Sequence, residues 1–201
     1  MTRPFVLGLT GSIGMGKTTT AGMFAEAGLP VWDADAAVHR LYGPGGSAAP
    51  VVAALCPEAV CSGGVDRAVL KDWLARTPGG LARLEAAVHP LVARDRAMFI
   101  DTAAAAGADI VVLDVPLLFE TGLETACDAT VTVTAPEEVQ RARVLGRPGM
   151  TAATFDALRA RQMPDAEKRA RADHVIETVT PEAARAAVRA LIDRIREGLN
   201  A

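Results

Sequence analysis

The apolar run 5–10 leads directly into Gly11–Thr18, which matches every fixed position of the phosphate-binding pattern GxxxxGK[ST]. A strand before the pattern and a helix-forming stretch after it, 19–27, are the context that this pattern requires. Glycines allow backbone N–H groups to close around an anion, and the N-terminus of a helix favours negative charge. A glycine-rich connecting turn would explain the glycines but not the Lys17-Thr18 pair. The sequence therefore predicts a nucleoside triphosphate site.

Lys17 is the candidate for contacting the β- and γ-phosphates, and it is also a candidate catalytic residue. The Thr18 hydroxyl is the first candidate ligand for Mg²⁺. Lysine is scarce in this chain, which has Lys17, Lys71 and Lys168 against a large excess of arginine. The candidate nucleotide-binding residues of the loop are Gly11, Gly14, Met15, Gly16, Lys17, Thr18 and Thr19.

The composition excludes several classes of protein. With 50% hydrophobic residues and a net charge of −3 over 201 residues, the chain is an ordinary globular protein without a basic field for nucleic acid. No apolar stretch is long enough to span a bilayer, and no export signal precedes the first strand, so we expect a cytoplasmic protein. The three cysteines are expected to be reduced thiols.

Short β-rich runs alternate with helical segments, which is typical of an α/β protein with a parallel sheet. The run Ile110–Asp114 is continuously apolar before its final aspartate, so we expect a central strand covered on both faces. A long helix is predicted over 80–104, with an apolar face from Leu81 to Phe99 of which most is expected to be core. A last helix is predicted after Pro181. The predicted strands are Phe5–Leu9, Leu29–Trp32, Ile110–Asp114, Ala129–Val133 and His174–Glu177.

Two segments interrupt this alternation. Residues 36–104 are far longer than an ordinary crossover and contain glycine-rich turns, so we expect an inserted helical subdomain. Residues 136–171 are helical and strongly basic, and we expect them to form a lid. The chain is thus predicted to be one domain, with a core of about 1–35, 105–135 and 172–201.

The remaining sequence narrows the class of nucleotide-using protein. Asparagine occurs only at position 200, so the guanine-reading NKxD motif of GTPases is absent. No signature loop of an ABC-type ATPase is present either. An ATPase or an ATP-dependent phosphotransferase is left.

Acidic residues follow the predicted second and third strands, at the sheet edge where open α/β proteins bind ligands. Asp33 is the candidate base that accepts a proton from an attacking hydroxyl, with capping of a helix that begins near Ala36 as the alternative. Asp35 is expected to cap that helix. Asp114 ends the third strand, where many P-loop proteins hold Mg²⁺ through water; a strand-end aspartate without this role is the alternative.

The chain resembles the dephospho-coenzyme A kinase family over nearly its whole length. The phosphate loop alone is generic, but its combination with three later blocks, in this order, is specific to that family. A fifth block, Gln162-Met163 with Lys168–Asp173 and Val175-Ile176, extends the resemblance. The four principal blocks are Leu9–Thr18, Val31–Asp35, His89–Leu91 and Asp114–Glu120.

The resemblance implies the P-loop kinase fold, a five-stranded parallel sheet flanked by helices, with a helical acceptor-binding insert and a helical lid. It also implies transfer of the γ-phosphoryl group of ATP to the ribose 3′-hydroxyl of dephospho-coenzyme A. The partners would then be these two small molecules, with no nucleic acid or membrane, and we expect a monomer or a weak homo-oligomer.

The block after the third strand agrees with a bulky acceptor, because an apolar wall there would hold adenine and pantetheine. Packing of Leu117 and Phe119 beneath the insert is the alternative. For His89, a buried core position is the alternative to the acceptor pocket that the resemblance implies. Besides Asp33, the candidate acceptor-binding residues are His89, Pro116, Leu117, Leu118, Phe119 and Glu120.

Arg143 and Arg147 are four residues apart in the basic segment, so we expect both on one helical face, closing over the phosphates. Arg147 is the first candidate for stabilising charge during transfer, and Arg143 the second. The segment departs from the family pattern at Pro148, Leu158 and the Glu177-Thr178 pair, where aspartate, arginine and Asp-Asn are usual.

Two other functions stay open at this point. A different P-loop kinase of a small molecule or nucleotide would keep Asp33 as base but accept another alcohol. A nucleotide-dependent regulatory module would bind without transfer.

Overall fold

The computed structural model describes residues 3–200. Its main sheet has five strands in the order β2-β5-β1-β6-β7, and the pairings of β1 with β5, β1 with β6 and β6 with β7 are parallel. The predicted α/β architecture with a parallel sheet is therefore confirmed. The strands of this sheet are β1 (Phe5–Thr10), β2 (Val31–Asp33), β5 (Ile110–Asp114), β6 (Ala129–Thr134) and β7 (His174–Glu177).

The interior strands β1, β5 and β6 are buried along nearly their whole length, as expected of strands covered on both faces. All five residues of β5 are buried, as the continuous apolar run predicts. The central strand, however, is β1, with β5 and β6 on either side. The expectation that Ile110–Asp114 is central was thus wrong by one position. This order brings the end of β1 beside the ends of β5 and β6, which places the phosphate loop in the middle of the sheet edge.

The chain divides into two compact units. One contains the residues up to Trp32 and those from Ala103 onward, and it includes the five-stranded sheet. Its last helix buries Ala184, Val188, Leu191 and Ile195 on one face, as the sequence pattern predicts. The helices in this unit are α1 (Lys17–Glu26), α6 (Glu137–Leu145), α7 (Ala152–Arg159), α8 (Asp165–Arg171) and α9 (Pro181–Leu199), with a 3-10 turn at Leu123–Ala126.

The second unit, Asp33–Thr102, is mainly helical and has its own small core, which includes Val52, Cys56, Leu70 and Leu84. A two-stranded hairpin and a 3-10 turn at Pro57–Ala59 join its helices. The elements that begin in it are α2 (Ala34–Tyr42), α3 (Ala48–Ala53), β3 (Val60–Cys61), β4 (Gly64–Val65), α4 (Arg67–Arg76) and α5 (Gly80–Ala105).

Helix α5 confirms the predicted long helix and contains Pro90 within it. Leu84 and Val88 are buried, whereas Leu81 is 57% exposed and does not belong to the core. Leu81 lies in the first turn of the helix, where the repeating pattern does not reveal whether a neighbour covers it. Over residues 3–200, none of the helices combines the length and apolarity that crossing a bilayer requires.

Candidate active site

The phosphate loop occupies residues 11–16, between the end of β1 and the first residue of α1. Gly14 and Gly16 have φ angles of 79° and 86°, in the left-handed region that residues with a Cβ rarely adopt. A Cβ on Gly14 would also lie 2.5 Å from Cγ2 of Val144. The loop therefore requires glycine at both positions for its conformation, and at Gly14 for its packing as well.

Lys17 is joined to the end of the neighbouring strand by an ion pair. Its Nζ lies 2.7 Å from Oδ1 of Asp114, and the side chains are 15% and 2% exposed. The parallel register of β1 and β5 pairs Leu9 with Asp114, which puts this carboxylate beside the phosphate loop. Two of the predicted site residues are thus brought into direct contact by the sheet.

Other loop residues differ in how they face solvent. Thr18 and Thr19 are exposed on the first turn of α1. The Met15 side chain is buried, with its Sδ 3.1 Å from the backbone N of Ala135, so only its backbone is placed to contact a nucleotide.

Three side chains that the sequence reasoning did not assign hold the backbone of the loop. Gln140 Nε2 donates to the Ile13 carbonyl at 2.7 Å, and Gln162 Oε1 accepts from the Ile13 N–H at 2.9 Å. Thr178 Oγ1 donates to the Met15 carbonyl at 2.8 Å. Gln162 belongs to a family-like block, but Gln140 and Thr178 carry no local pattern that identifies them.

The two arginines expected in the lid both line a cavity of about 290 Å³ that also includes Gly14, Gly16 and Thr19. Arg143 lies in α6 and donates through Nη1 to Thr178 Oγ1 at 3.0 Å and through Nη2 to the Thr178 carbonyl. Arg147 lies beyond the end of α6 at Leu145, directly before Pro148. The expectation that both arginines share one helical face was therefore wrong.

The segment after β5 presents little of the apolar wall that we expected. Leu118 and Phe119 are buried, and the guanidinium carbon of Arg171 lies 5.0 Å from the centre of the Phe119 ring. Of the three apolar side chains, only Leu117 faces solvent to a large extent, at 40% exposed. The Pro116 carbonyl accepts a hydrogen bond from Thr10 Oγ1 at 3.1 Å, which fastens this segment to β1.

Glu120 is engaged by residues of the predicted lid segment. Its Oε1 lies 2.9 Å from Nζ of the fully buried Lys168 and accepts from the Met163 N–H at 2.8 Å. Lys168 also donates to the Pro116 carbonyl at 3.0 Å. Burial alone would raise the pKa of Glu120, but the hydrogen bonds from Lys168 and Met163 outweigh it and hold this pKa below its ordinary value. Glu120 thus has a structural function in this arrangement.

Asp33 ends β2 and caps α2, because its Oδ1 accepts from the Ala36 N–H at 2.9 Å. The expectation that Asp35 is the cap was wrong, since α2 begins at Ala34 and Asp35 lies in its first turn. The cap uses one carboxylate oxygen of Asp33 and leaves Oδ2 for another partner.

His89 lies on α5, directly before Pro90, and its side chain is exposed. The alternative of a buried core histidine is therefore wrong. An exposed imidazole in the helical unit is open to a ligand.

A family model described as dephospho-CoA kinase matches residues 5–182 of this chain. A dephospho-CoA kinase of Cereibacter sphaeroides is 64% identical over 199 residues, which cover 99% of this chain and 100% of that protein.

Solved structures show the same fold. A protein of Thermus thermophilus superimposes with a TM-score of 0.81 at 35% identity, over 98% of each chain. A dephospho-CoA kinase from Campylobacter jejuni has a TM-score of 0.71 at 20% identity, over 96% of this chain and 98% of that one. The predicted fold and the predicted resemblance are both confirmed by these matches.

Proposed function

This chain belongs to the dephospho-CoA kinase family, and we infer from this membership that it transfers the γ-phosphoryl group of ATP to the ribose 3′-hydroxyl of dephospho-CoA, giving coenzyme A and ADP. The observation that carries the inference is the family match over residues 5–182, together with the Lys17–Asp114 pair at the phosphate loop. The chain is a kinase of coenzyme A biosynthesis, and its substrates are ATP and dephospho-CoA.

Binding of ATP, the phosphoryl donor, is assigned to the phosphate loop and to the start of α1. Backbone N–H groups of the loop and the positive end of α1 receive the β-phosphate, and Lys17 neutralises the β- and γ-phosphate oxygens. The adenosine is assigned to the cavity lined by Thr19, Arg143 and Arg147. Arg147 is proposed to approach the transferring phosphoryl group, because it follows α6 on a turn and has no ion pair within residues 3–200.

Mg²⁺ fits this site, since the Thr18 hydroxyl and the buried Asp114 carboxylate offer the hard oxygen donors that this cation prefers. When bound, Mg²⁺ would neutralise negative charge on the phosphate oxygens. Asp114 keeps Lys17 directed toward the loop through its Oδ1.

Asp33 is the proposed general base for the acceptor. Its carboxylate takes the proton of the 3′-hydroxyl while the oxygen bonds to the γ-phosphorus, and the bond from that phosphorus to the β,γ-bridging oxygen breaks. The electron pair of the broken bond leaves with ADP. His89 and Leu117 are proposed to contact dephospho-CoA, because both side chains are exposed.

Residues 36–104 are proposed to bind the acceptor, and residues 136–171, which include α6, α7 and α8, to close over ATP. A cytoplasmic location and a monomeric or weakly associated state stay predictions from the sequence.

The experiment that tests this function offers Mg-ATP with dephospho-CoA, adenosine, shikimate or gluconate in separate reactions and measures ADP release. We expect turnover with dephospho-CoA alone. Turnover with another acceptor and not with dephospho-CoA would mean that the chain is a different small-molecule kinase. ATP binding without turnover on any acceptor would favour a regulatory module.

A further inference from the structure

We propose that Gln140 and Thr178 are positioning residues of the phosphate loop. Gln140 binds the Ile13 carbonyl and Thr178 binds the Met15 carbonyl. Each bond holds its carbonyl away from the bound anion, so the N–H of the next residue, Gly14 or Gly16, is turned toward that anion. The proposal rests on the proposed function, because it describes how the loop is prepared for ATP.

Gln140 acts on the peptide between Ile13 and Gly14. Its side chain is 4% exposed, and its Nε2 donates to the Ile13 carbonyl at 2.7 Å. In a trans peptide the carbonyl and the following N–H point in opposite directions. Because Gln140 fixes the carbonyl, the Gly14 N–H is directed to the other side of the loop.

Thr178 acts in the same way on the peptide between Met15 and Gly16. Its Oγ1 lies 2.8 Å from the Met15 carbonyl and accepts from Arg143 Nη1 at 3.0 Å. A hydroxyl has one proton to donate and the arginine has no acceptor atom, so the Thr178 proton is directed to a carbonyl. The Met15 carbonyl at 2.8 Å is closer to Thr178 Oγ1 than the Thr134 carbonyl at 3.3 Å. The Gly16 N–H therefore points away from Thr178.

Both glycine N–H groups are free to bind a ligand, since neither donates a hydrogen bond to another group of residues 3–200. Glycine rotates easily about its backbone, so a peptide that precedes glycine flips at low cost unless its carbonyl is held. A flipped peptide would present a carbonyl oxygen to the phosphates and repel them. Holding these two carbonyls thus converts a flexible loop into an anion receptor.

The first test compares Thr178→Val, which keeps the shape but removes the hydroxyl, with Thr178→Ser, which keeps the hydroxyl. The full-length protein is labelled with ¹⁵N-glycine, and ADP with Mg²⁺ is the probe. In the wild type we expect the amide protons of Gly14 and Gly16 to move downfield on ADP binding. In Thr178→Val the Gly16 shift should shrink, with ADP bound about tenfold more weakly, as for the loss of one hydrogen bond. Thr178→Ser should restore both.

The second test compares two glutamines that hold the same loop residue. Gln140→Met removes the donor to the Ile13 carbonyl and should reduce the shift of Gly14 but not that of Gly16. Gln162→Met is the matched control, because Gln162 contacts the Ile13 N–H, which belongs to the preceding peptide. It should leave the Gly14 shift in place. Melting temperatures of all variants separate a loss of folding from a loss of orientation.

The outcomes separate this inference from the function on which it rests. Failure of the wild type to bind ADP would overturn the proposed function. Wild-type binding with unchanged Gly16 and Gly14 shifts in Thr178→Val and Gln140→Met would overturn the positioning role alone. If Thr178→Val does not fold, the comparison of Gln140→Met with Gln162→Met decides.

Discussion

Nζ of Lys17, the first residue of α1, lies 2.7 Å from Oδ1 of Asp114 at the end of β5, and Asp114 is almost completely buried. The residues are 97 positions apart in the sequence, and the parallel register of β1 and β5 brings them together. The ion pair with Asp114 therefore fixes the lysine that contacts phosphate in this class of loop. A side chain that is already fixed loses less entropy on binding.

We predict that Lys17→Ala abolishes phosphoryl transfer, because the charge that neutralises the β- and γ-phosphates is removed. The expected fall in kcat/KM for ATP is on the order of a thousandfold or more. Initial rates of ADP formation measure it. Lys71→Ala is the matched control, since Lys71 is an exposed lysine of α4. Comparable rates for Lys17→Ala and Lys71→Ala would contradict the assignment of Lys17.

Asp33→Asn should also abolish transfer but leave ATP binding largely intact. Asparagine caps a helix as well as aspartate, so α2 keeps its hydrogen bond at Ala36 while the proton acceptor is lost. Turnover and ATP affinity are measured on the same preparation. Asp35→Asn, in the first turn of the same helix, is the control and should stay active. Near-native turnover of Asp33→Asn would show that Asp33 is not the base.

Glu120→Ala should destabilise the fold strongly, because the fully buried Lys168 loses its carboxylate partner. Breaking a buried ion pair from one side costs on the order of 3 kcal/mol of unfolding free energy. The double variant Glu120→Ala with Lys168→Met should recover part of this loss, since no buried charge is left. Urea denaturation measures both. A double variant that is less stable than Glu120→Ala would contradict this explanation.

His174 makes the unfolding free energy depend on pH. Burial disfavours its charged form, and this outweighs the attraction of Asp173, so the pKa of His174 lies below its ordinary value. The unfolded chain then binds a proton at higher pH than the folded chain does. Stability should therefore fall as the pH drops below about 6.5, down to the folded pKa, and should show no effect of this group above that pH.

The variant His174→Gln removes this titration and serves as the comparison. Urea denaturation at about pH 8 and about pH 5.5 should show a smaller loss of stability in the variant than in the wild type. Equal losses in the two proteins would mean that His174 does not contribute.

Local patterns in the sequence were sufficient to predict much of the fold. The glycine-rich loop, the apolar run at β5 and the apolar face of α9 each follow from the spacing of neighbouring residues, and all three are present. The order of the strands was harder to predict, because an apolar run indicates that a strand is buried but does not show which buried strand, β5 or β1, lies at the centre of the sheet.

The predictions for the site were wrong or incomplete where a helix boundary shifts by one or two residues, or where a contact joins residues that are distant in the sequence. Helix α2 starts two residues earlier than expected, so Asp33 and not Asp35 is its N-cap. Helix α6 ends at Leu145, so Arg147 lies outside it. Thr178 and Gln140 reach the loop over separations of 163 and 127 residues, and no local pattern reports such contacts.

The central claim is that the phosphoryl group goes to one particular hydroxyl of dephospho-CoA. Its most direct test measures ADP formation with two analogues, 2′-deoxy and 3′-deoxy dephospho-CoA, at saturating Mg-ATP. We predict turnover with the 2′-deoxy analogue and none above the ATP-only rate with the 3′-deoxy analogue. Turnover with the 3′-deoxy analogue would contradict the claim, because the acceptor would then be a different group.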